Sequence, residues 1–481
     1  MSAVPSSPIN ESQPVVYESI AIIVEQENSI IERIEIASMV VDIDIYEHLD
    51  KPYLTGVMSV LDNVDLFGSL NVNGATKINM KLRLNVAEAE EEGKKFTPLP
   101  VERTFYIDSI MSSMKYQEKG EVQVIHLIED HAYKSNQMNV NRAYAGTSTR
   151  MITRLMKELD SERMVFSTEK DDGTMKVIIP NLSPIDAMIW IKNRSVTAEG
   201  YPMYLFTTLS GLKTLNFLDL KTMLESEVMN PKQAFTFSSA NVSVKKDGKQ
   251  NFSVPQRRVI LNYEYKNTED LYSLMSKGLM LPTTIQYINT ANGNNGRNDL
   301  SFDPKEAIDR LDPRVIKGVP NYDPYLKDSY IDPIFTSPKN IKISAAQVVS
   351  SDAFKTARLS EDNLTGDITP VWDKLNGYSE HGESGGYKNQ MIARTLDALM
   401  KINPLVLTVN GADFLSGTDS TTIGNKIRVK FPRNVDDRES EFQFDPKKSG
   451  DYLIYSARHS FRGDSYTVNL TGMKLSNGGL L

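Results

Sequence analysis

Hydrophobic and polar residues alternate along stretches near both ends of the chain. Between Lys77 and Val86 the apolar side chains fall on every second position. Near the other end, strand-like sequence runs through Tyr452–Phe461 and Tyr466–Leu470, on either side of the glycine-containing turn Arg462–Ser465. Alternation on both sides of such a turn is typical of a β-hairpin with one buried face. The pattern therefore predicts antiparallel β-structure at both ends.

The predicted strands at the two ends repeat one another in order and spacing. Val57–Val60 and Thr76–Leu82 recur without a gap, 349 positions later, as Val406–Val409 and Asn425–Phe431. Two more matches follow in the same order: Phe105–Ile110 with Tyr452–Ala457, and Val122–Leu127 with Tyr466–Leu470. Coincidence is the alternative, because any two antiparallel strands share this alternation. The common order and the long spacing favour two related antiparallel β-modules.

Between the two β-modules, the pattern changes to one typical of a small α/β module. Apolar residues from Ser148 to Leu159 recur at helical spacing, with Thr147 or Ser148 as the candidate N-cap. Pro184 follows Ser183 at the first position of a second predicted helix. Residues 290–340 instead contain Asn-Gly pairs and several prolines, which predicts a loop-rich surface segment.

The predicted fold class is mainly β with α+β character. We expect two related antiparallel β-barrel (tube) domains at the two ends of the chain, with a small α/β module and a loop-rich insertion between them. The predicted organisation is a flexible tail at 1–14, the first barrel domain at 15–146, the small α/β domain at 147–234, strands completing the second barrel together with the insertion at 235–387, and the second barrel domain at 388–481.

Composition narrows the classes of function. A chain of 481 residues is too long for one compact core, so several domains are expected. Its net charge of −8 and its lack of a basic cluster disfavour direct nucleic-acid binding. The absence of cysteine excludes disulfides, thiolate catalysis and cysteine-containing zinc sites. We expect no signal peptide at Met1–Gln13 and no segment that spans a membrane.

One formal catalytic motif occurs at Gly382–Gly386, where Ser384 stands in the pattern G-x-S-x-G. Candidate partners follow in the order of a hydrolase triad: Asp397 or Asp413, then His459. An α/β-hydrolase needs a buried strand that leads the serine onto a sharp elbow. The preceding Lys374–His381 is polar and contains glycine, so we expect a flexible loop there instead of a nucleophile elbow.

Other chemistry-bearing residues do not form a recognised motif. Four residues lie close in sequence without the H-E-x-x-H spacing of a zinc site: His126, Glu129, Asp130 and His131. Asp42 and Asp44 share one face of a predicted strand, where a solvated edge is favoured over a cation site. No Walker-type motif occurs, and no G-x-G-x-x-G follows a strand. We therefore predict no catalytic residue, no metal ligand and no cofactor.

Four segments together resemble the baseplate hub family of contractile-tailed phages: Tyr46–Gly56, Ile178–Pro184, Ser449–Ile454 and Arg458–Phe461. The sequence is most similar to the large hub subunit of T-even-type phages. It is more distantly similar to the valine-glycine-repeat spike protein of type VI secretion. The order of the segments carries the resemblance, and residues 290–390 match no part of that family.

The resemblance implies a homotrimer in which each chain contributes two similar β-barrel domains around a central channel. Six similar faces would let this threefold hub mate with a sixfold tail tube protein. The family also implies a trimeric central spike protein at the opposite end, baseplate wedge proteins as neighbours, and DNA that passes through the channel without specific binding. A hub is a structural protein of the virion tail baseplate, assembled in the host cytoplasm, and not an enzyme.

Two other functions stay open. A β-rich tail protein that binds a receptor or a carbohydrate would expose aromatic residues in the loops between 290 and 390. Candidates for that cluster are Tyr322, Tyr325, Tyr330 and Trp372. A serine hydrolase would act through Ser384. The charged tip at Glu88–Glu92 could also dock a neighbouring chain, although a solvated hairpin end is the simpler interpretation.

Overall fold

The computed structural model describes residues 15–25, 31–70, 72, 74, 76–85, 89–91, 94–96, 99–116, 120–168, 175–229, 234–237, 258–265, 283–289, 298–311, 345–348, 384–401, 404–432, 444–445, 447–463 and 465–476. The tail predicted at 1–14 lies outside these residues. So do most of the predicted loop-rich insertion and the four aromatic residues singled out within it.

The secondary structure is dominated by strands. The strands are β1 (Val15–Glu25), β2 (Ile31–Glu35), β3 (Val40–His48), β4 (Thr55–Asp62), β5 (Lys77–Leu84), β6 (Ala89–Glu91), β7 (Lys94–Phe96), β8 (Val101–Tyr116), β9 (Gly120–Glu129), β10 (Ala143–Gly146), β11 (Met164–Ser167), β12 (Met175–Ile178), β13 (Met203–Phe206), β14 (Thr214–Asp219), β15 (Phe235–Thr236), β16 (Ile260–Tyr265), β17 (Thr283–Asn289), β18 (Asn298–Phe302), β19 (Ala345–Val348), β20 (Leu405–Asn410), β21 (Lys426–Lys430), β22 (Gly450–Arg462) and β23 (Ser465–Ser476). The helices are α1 (Leu66–Ser69), α2 (Asp130–Ser135), α3 (Ser148–Leu159), α4 (Pro184–Lys192), α5 (Leu220–Glu225), α6 (Pro304–Asp309) and α7 (Ser384–Met400).

One large sheet carries strands from both ends of the chain. Its strands lie in the order β16-β20-β23-β22-β3-β4-β9-β8-β5-β1-β2, while β21 pairs with β22 and β15 pairs with β21. Its neighbouring strands run antiparallel, except β15 beside β21. The mainly β fold class predicted from the alternation is therefore confirmed. The pairings form an open series through the sheet, and among the described strands they do not close either end into a ring.

The strand order within this sheet repeats, as the sequence spacing predicts. The first repeat runs β3-β4-β9-β8-β5, and the second runs β16-β20-β23-β22-β21. Met58 pairs with Ile125 in the first repeat, and Leu407 pairs with Leu470 at the same place in the second. Leu470 therefore corresponds to Ile125. The sequence match of Val122–Leu127 with Tyr466–Leu470, which places Leu470 opposite Leu127, is wrong by two positions.

Irregularities in the ladders recur at corresponding positions of the two repeats. The β8–β9 pairing shifts register between Ile107 and Ser109, and the β22–β23 pairing shifts between Ile454 and Ser456. A β-bulge adds one residue at a defined place and bends the strand there. Bulges that coincide in both long strands show that the two repeats share a backbone path and not only an alternation of side chains.

Strands β3 and β16 also correspond. The β3–β4 pairing shifts register after Val40, which lies opposite Val60. The β16–β20 pairing shifts after Ile260, which lies opposite Val409, the residue 349 positions beyond Val60. Strand β16 therefore occupies in the second repeat the place that β3 occupies in the first.

The two repeats share one hydrophobic core, and the small α/β module has a second. Ile43 and Ile45 of β3 lie in the shared core together with Phe461 and Leu470 of the hairpin β22–β23. The second core includes apolar residues of α3, α4, β13 and β14, and the stretch from Ala132 to Phe217 supplies its buried residues. The α/β character predicted for this part of the chain follows from these helices packing on short strands.

Helices α3 and α4 begin where the capping residues predict. Thr147 accepts a hydrogen bond from the backbone N–H of Arg150, and Ser183 accepts one from the backbone N–H of Asp186. The backbone N–H groups in the first turn of a helix have no acceptor within the helix, and each of these side chains supplies an acceptor for one of them. Within the described ranges, no helix has the length and apolar character needed to cross a membrane.

Gly424 tests the packing between the second repeat and the α/β module. Its φ is +80°, and an added Cβ would lie 2.9 Å from the ring of Phe206. We expect Gly424→Ala to lower the free energy of unfolding by at least about 1 kcal/mol, because both the backbone conformation and the space favour glycine. Urea unfolding followed by circular dichroism measures this change.

Gly463 provides the matched control, because an added Cβ there meets nothing within 4 Å. We expect Gly463→Ala to change the free energy of unfolding by less than about 0.5 kcal/mol. Equal effects of the two substitutions would contradict the close packing at Gly424.

Candidate functional site

The two repeats meet where β22 lies beside β3. Ser456–Arg462 pair antiparallel with Asp42–His48, and we call this contact the repeat junction. Its central residues, Glu47 and His459, are 412 positions apart in the sequence. The junction joins the first repeat to the second through backbone pairing and through buried polar side chains.

A buried carboxylate stands at the centre of the repeat junction. Glu47 accepts hydrogen bonds from the Thr422 hydroxyl and the Leu209 N–H, both at 2.5 Å, and lies 3.0 Å from Nε2 of His459. Nδ1 of His459 lies 2.8 Å from the Tyr466 hydroxyl. Burial and the nearby Glu47 charge raise the pKa of Tyr466 well above its usual value, so the hydroxyl keeps its proton. Glu47 therefore connects both repeats with the α/β module.

The strand alternation contains a signal for this pair that sequence reasoning missed. Glu47 follows Ile45 at the next position on the buried face of β3, and His459 precedes Phe461 on the buried face of β22. A polar residue at an apolar position of a strand needs a buried partner. The partner itself lies too far along the chain for the alternation to identify it.

Half-buried charges add to the repeat junction beside Glu47. Asp44 lies 2.6 Å from the Arg458 guanidinium and accepts a hydrogen bond from the Ser460 hydroxyl. Burial alone would raise the pKa of Asp44, but Arg458 and Ser460 outweigh it and hold the pKa below its usual value. Asp42 lies opposite Arg462 in the pairing. The face shared by Asp42 and Asp44 is thus part of an intramolecular contact and not a simple solvated edge.

A second charged cluster lies next to the junction, around a pocket of about 340 Å³. Asp50, after β3, lies 2.7 Å from Nζ of Lys192 on α4 and 3.1 Å from Nζ of Lys401 after α7. Lys401 also lies 2.8 Å from Asp397, which accepts a hydrogen bond from Tyr204. Two carboxylates and two ammonium groups balance one another here. The cluster holds α4 and α7 against the first repeat.

The charges of this second cluster lower the pKa of Asp50. Burial alone would raise that pKa, but the ammonium groups of Lys192 and Lys401 outweigh it and lower the pKa from 3.8 to about 2. Burial alone would lower the pKa of Lys401, but Asp397 and Asp50 raise it instead. Both groups are therefore charged in the folded protein at neutral pH.

Protein groups lie against the candidate metal ligands next to β9, although Nδ1 of His131 has no hydrogen-bond partner among the described residues. Glu129, Asp130 and His131 place ligand atoms within 4.8 Å of one another. The Arg163 guanidinium lies 2.8 Å from Glu129 and supplies the positive charge that a metal ion would bring. Nε2 of His131 lies 2.7 Å from the Pro52 carbonyl oxygen, to which it can donate. The cluster therefore works as a buried ion pair that fastens α2 to the first repeat.

His126 stands apart from that cluster. Its Nδ1 lies 3.0 Å from Oδ2 of Asp108, on the face of β8 and β9 that is open to solvent. Such a pair contributes little to stability because water screens it. The structure thus separates His126 from Glu129, Asp130 and His131, and the expectation that these residues bind no metal stays a prediction.

The residues of the formal hydrolase motif do not converge on His459. Asp397 pairs with Lys401, Asp413 lies 3.1 Å from Arg258, and His459 is buried against Glu47. The loop predicted around Ser384 is wrong from that residue onward, because Ser384 is the first residue of α7. The helix includes Gly385 and Gly386 in its first turn.

Comparison with solved structures finds tail proteins and a PdpA–VgrG complex that align with nearly the whole chain. A tail protein from Neisseria meningitidis MC58 is 12% identical with a TM-score of 0.45, over 96% of this chain and 99% of that one. The 43 kDa tail protein of prophage MuSo2 from Shewanella oneidensis is 10% identical with a TM-score of 0.45, over 96% and 100%. A Francisella PdpA–VgrG complex is 10% identical with a TM-score of 0.44, over 97% and 53%.

No protein-family model matches the sequence, and no curated protein matches it. At TM-scores below 0.5, the structural likeness does not by itself assign a function to this chain.

Glu47 tests the repeat junction. Glu47→Ala leaves the Leu209 N–H, the Thr422 hydroxyl and the His459 ring without their buried acceptor. We expect the free energy of unfolding to fall by about 3–5 kcal/mol, because buried polar groups lose their partner. Glu199→Ala removes an exposed partner of Lys221 and is expected to cost less than about 1 kcal/mol. Urea unfolding measures both variants. If Glu47→Ala and Glu199→Ala lowered the free energy of unfolding by similar amounts, a central role for Glu47 would be contradicted.

Asp50 tests the charged cluster through pH. Its pKa of about 2 lies below the usual 3.8, so its stabilisation is present above about pH 4 and is lost as pH falls towards 2. We expect Asp50→Asn to lower the free energy of unfolding by about 2 kcal/mol at pH 7, with the difference from the wild type shrinking between pH 4 and 2. Urea unfolding at several pH values measures this difference.

Asp419→Asn is the control for Asp50, because Asp419 is exposed and its carboxylate accepts a hydrogen bond from the adjacent Thr418 hydroxyl. We expect this substitution to change the free energy of unfolding by less than about 0.5 kcal/mol throughout the same pH range. If Asp50→Asn lowered the free energy of unfolding by the same amount at every pH, the charge of Asp50 would not be the cause of its stabilising effect.

Proposed function

We propose that this chain is a structural hub of a phage tail or of a related contractile injection system. It assembles as a homotrimer around a central channel. The observation that carries the proposal is the repeat within one chain: two five-strand units with the same strand order, the same register and bulges at the same places. Three chains with two such units each present six similar faces, so a threefold assembly can bind a sixfold tube.

The proposed partners are those that the resemblance to the baseplate hub family implies. The six similar faces bind the tail tube protein, and the opposite, threefold end binds a trimeric central spike protein. Baseplate wedge proteins surround the hub, which is located in the virion tail after assembly in the host cytoplasm. A net charge of −8 is consistent with a channel through which DNA passes without specific binding, because phosphates are not held by a basic surface.

The buried charges support a structural role. Glu47 and Glu129 each have a protein partner that fixes their position. Catalytic acids and bases instead need access to a substrate and a reacting atom within hydrogen-bond reach. His459 has neither, because it is buried and both of its ring nitrogens lie against protein groups.

Receptor or carbohydrate binding stays an open prediction, because its candidate aromatic residues lie outside the described part of the chain. Hydrolysis through Ser384 gains no support from the described residues, since the acids and the histidine that follow it are engaged elsewhere. The charged tip at Glu88–Glu92 lies partly outside the described residues, and docking through it stays a prediction.

The mass of the assembly tests the hub proposal. Light scattering on the purified chain at micromolar concentration is expected to give three times the 54.0 kDa of one chain. Projection images are expected to show a ring with six similar lobes. A chain that stays monomeric at 54.0 kDa, also after addition of the cognate spike protein, would contradict the proposal.

A further inference from the structure

The pocket of about 340 Å³ beside the second charged cluster lies where three parts of the chain meet. Asp50 follows β3 in the first repeat, Met203 begins β13 of the α/β module, and Arg394 lies on α7. Pockets that bind small molecules usually have volumes of about 300–1,000 Å³. This pocket therefore has room for a small ligand between the elements that the charged cluster holds together.

The inner surface of the pocket is apolar. Val196, Met203 and Ala393 line it and are only 6%, 3% and 4% exposed. Pro202 and Tyr204, which are also buried, line it as well. An apolar group of a ligand that packs against these side chains leaves water, which favours binding.

One face of α7 supplies a wall with polar groups. Four residues line the pocket at the three- and four-residue spacing that places side chains on one face of a helix: Gln390, Ala393, Arg394 and Asp397. Gln390 donates a hydrogen bond from its side chain to the carbonyl oxygen of Arg194, which follows α4. This contact fixes α7 against the α/β module.

Arg394 carries a charge that no neighbour balances. Asp50 pairs with the ammonium groups of Lys192 and Lys401. Asp397 pairs with the same Lys401, so two carboxylates meet two ammonium groups. Arg394 is exposed, and within the described part of the chain its guanidinium has neither an ion pair nor a hydrogen bond. The pocket thus has one positive charge in excess.

We infer that this pocket binds a carboxylate carried on a small apolar group. The guanidinium of Arg394 binds the carboxylate, and the buried apolar side chains bind the apolar group. Two parallel N–H groups of a guanidinium match the two oxygens of a carboxylate and give short, charge-assisted hydrogen bonds. A carboxylate brings the single negative charge that balances Arg394, whereas a doubly charged phosphate adds a second one near Asp50 and Asp397.

The carboxylate belongs either to a free small molecule or to the end of a partner's chain, and both sources present the same group to Arg394. The described residues that line the pocket all belong to one chain. The inference therefore does not rest on the proposed trimer, and it adds a ligand-binding site to a structural protein.

Ligand-observed NMR tests the inference in the full-length chain. Saturation-transfer difference spectra of isocaproate are expected to give a dissociation constant on the order of 1 mM, since the ligand is small. Isocaproamide has the same shape without the charge, so it is expected to bind at least about tenfold more weakly. Acetate lacks most of the apolar group and is also expected to bind at least about tenfold more weakly.

Two results of these titrations would overturn the inference. One is an amide that binds as tightly as the acid, because the charge of the ligand would then have no role. The other is isocaproate that receives no saturation transfer at about ten times the expected dissociation constant.

Arg394→Gln tests which residue binds the carboxylate. This exposed substitution removes the guanidinium, so isocaproate is expected to bind at least about tenfold more weakly while isocaproamide is unaffected. Arg150→Gln is the matched control, because Arg150 is exposed on α3, does not line the pocket and changes the net charge by the same amount. Equal affinities of the wild type and the Arg394 variant for isocaproate would contradict the inference. Circular dichroism checks that both variants are folded.

N-acetylglycylleucine distinguishes the two sources of the carboxylate, since it carries the same acid and branched apolar group on a piece of peptide backbone. Binding tighter than that of isocaproate would identify a chain end as the ligand, and equal or weaker binding would identify a free acid. A trimeric chain that binds neither compound would overturn this inference while the hub proposal stands.

Discussion

The fold depends on the pairing of β22 with β3 around the buried contact of Glu47 with His459. Burying a carboxylate costs several kcal/mol unless hydrogen bonds and a positively polarised partner compensate it. Glu47 receives this compensation from the second repeat and from Leu209 of the α/β module at once. The three parts of the chain therefore stabilise one another only when all of them are in place, which fixes their relative positions.

The two long strands show how one backbone path can serve two purposes. The junction half of β22 carries His459 and Arg458, whose charges or polar atoms need partners that are always present. The corresponding segment of β8, Ser109–Tyr116, carries the exposed Met111 and Met114 instead. The same backbone path therefore carries partnered polar groups where a strand of the other repeat lies beside it, and exposed apolar groups where no described strand of the other repeat does.

The charged residues illustrate why sequence order alone is weak support for an active site. The order of Ser384, Asp397 and His459 fits a hydrolase, yet Asp397 binds Lys401 and Tyr204 while His459 lies against Glu47. Distances in the fold follow from strand pairing, so residues in a triad order meet only when the topology brings them together. The same holds for Glu129, whose charge is met by Arg163.

Local periodicity determined much of this protein. Alternation predicts the β-modules and their repeat, and Thr147 and Ser183 predict two helix starts, since these features depend on neighbouring residues. The register of the two repeats depends on tertiary structure. In the structure Leu470 corresponds to Ile125, whereas the sequence match pairs Leu470 with Leu127, two positions away. A shift of two residues leaves each side chain on the same face of the strand, so alternation alone cannot distinguish the two alignments. The partner of Glu47 lies 412 positions away, and only the fold selected it.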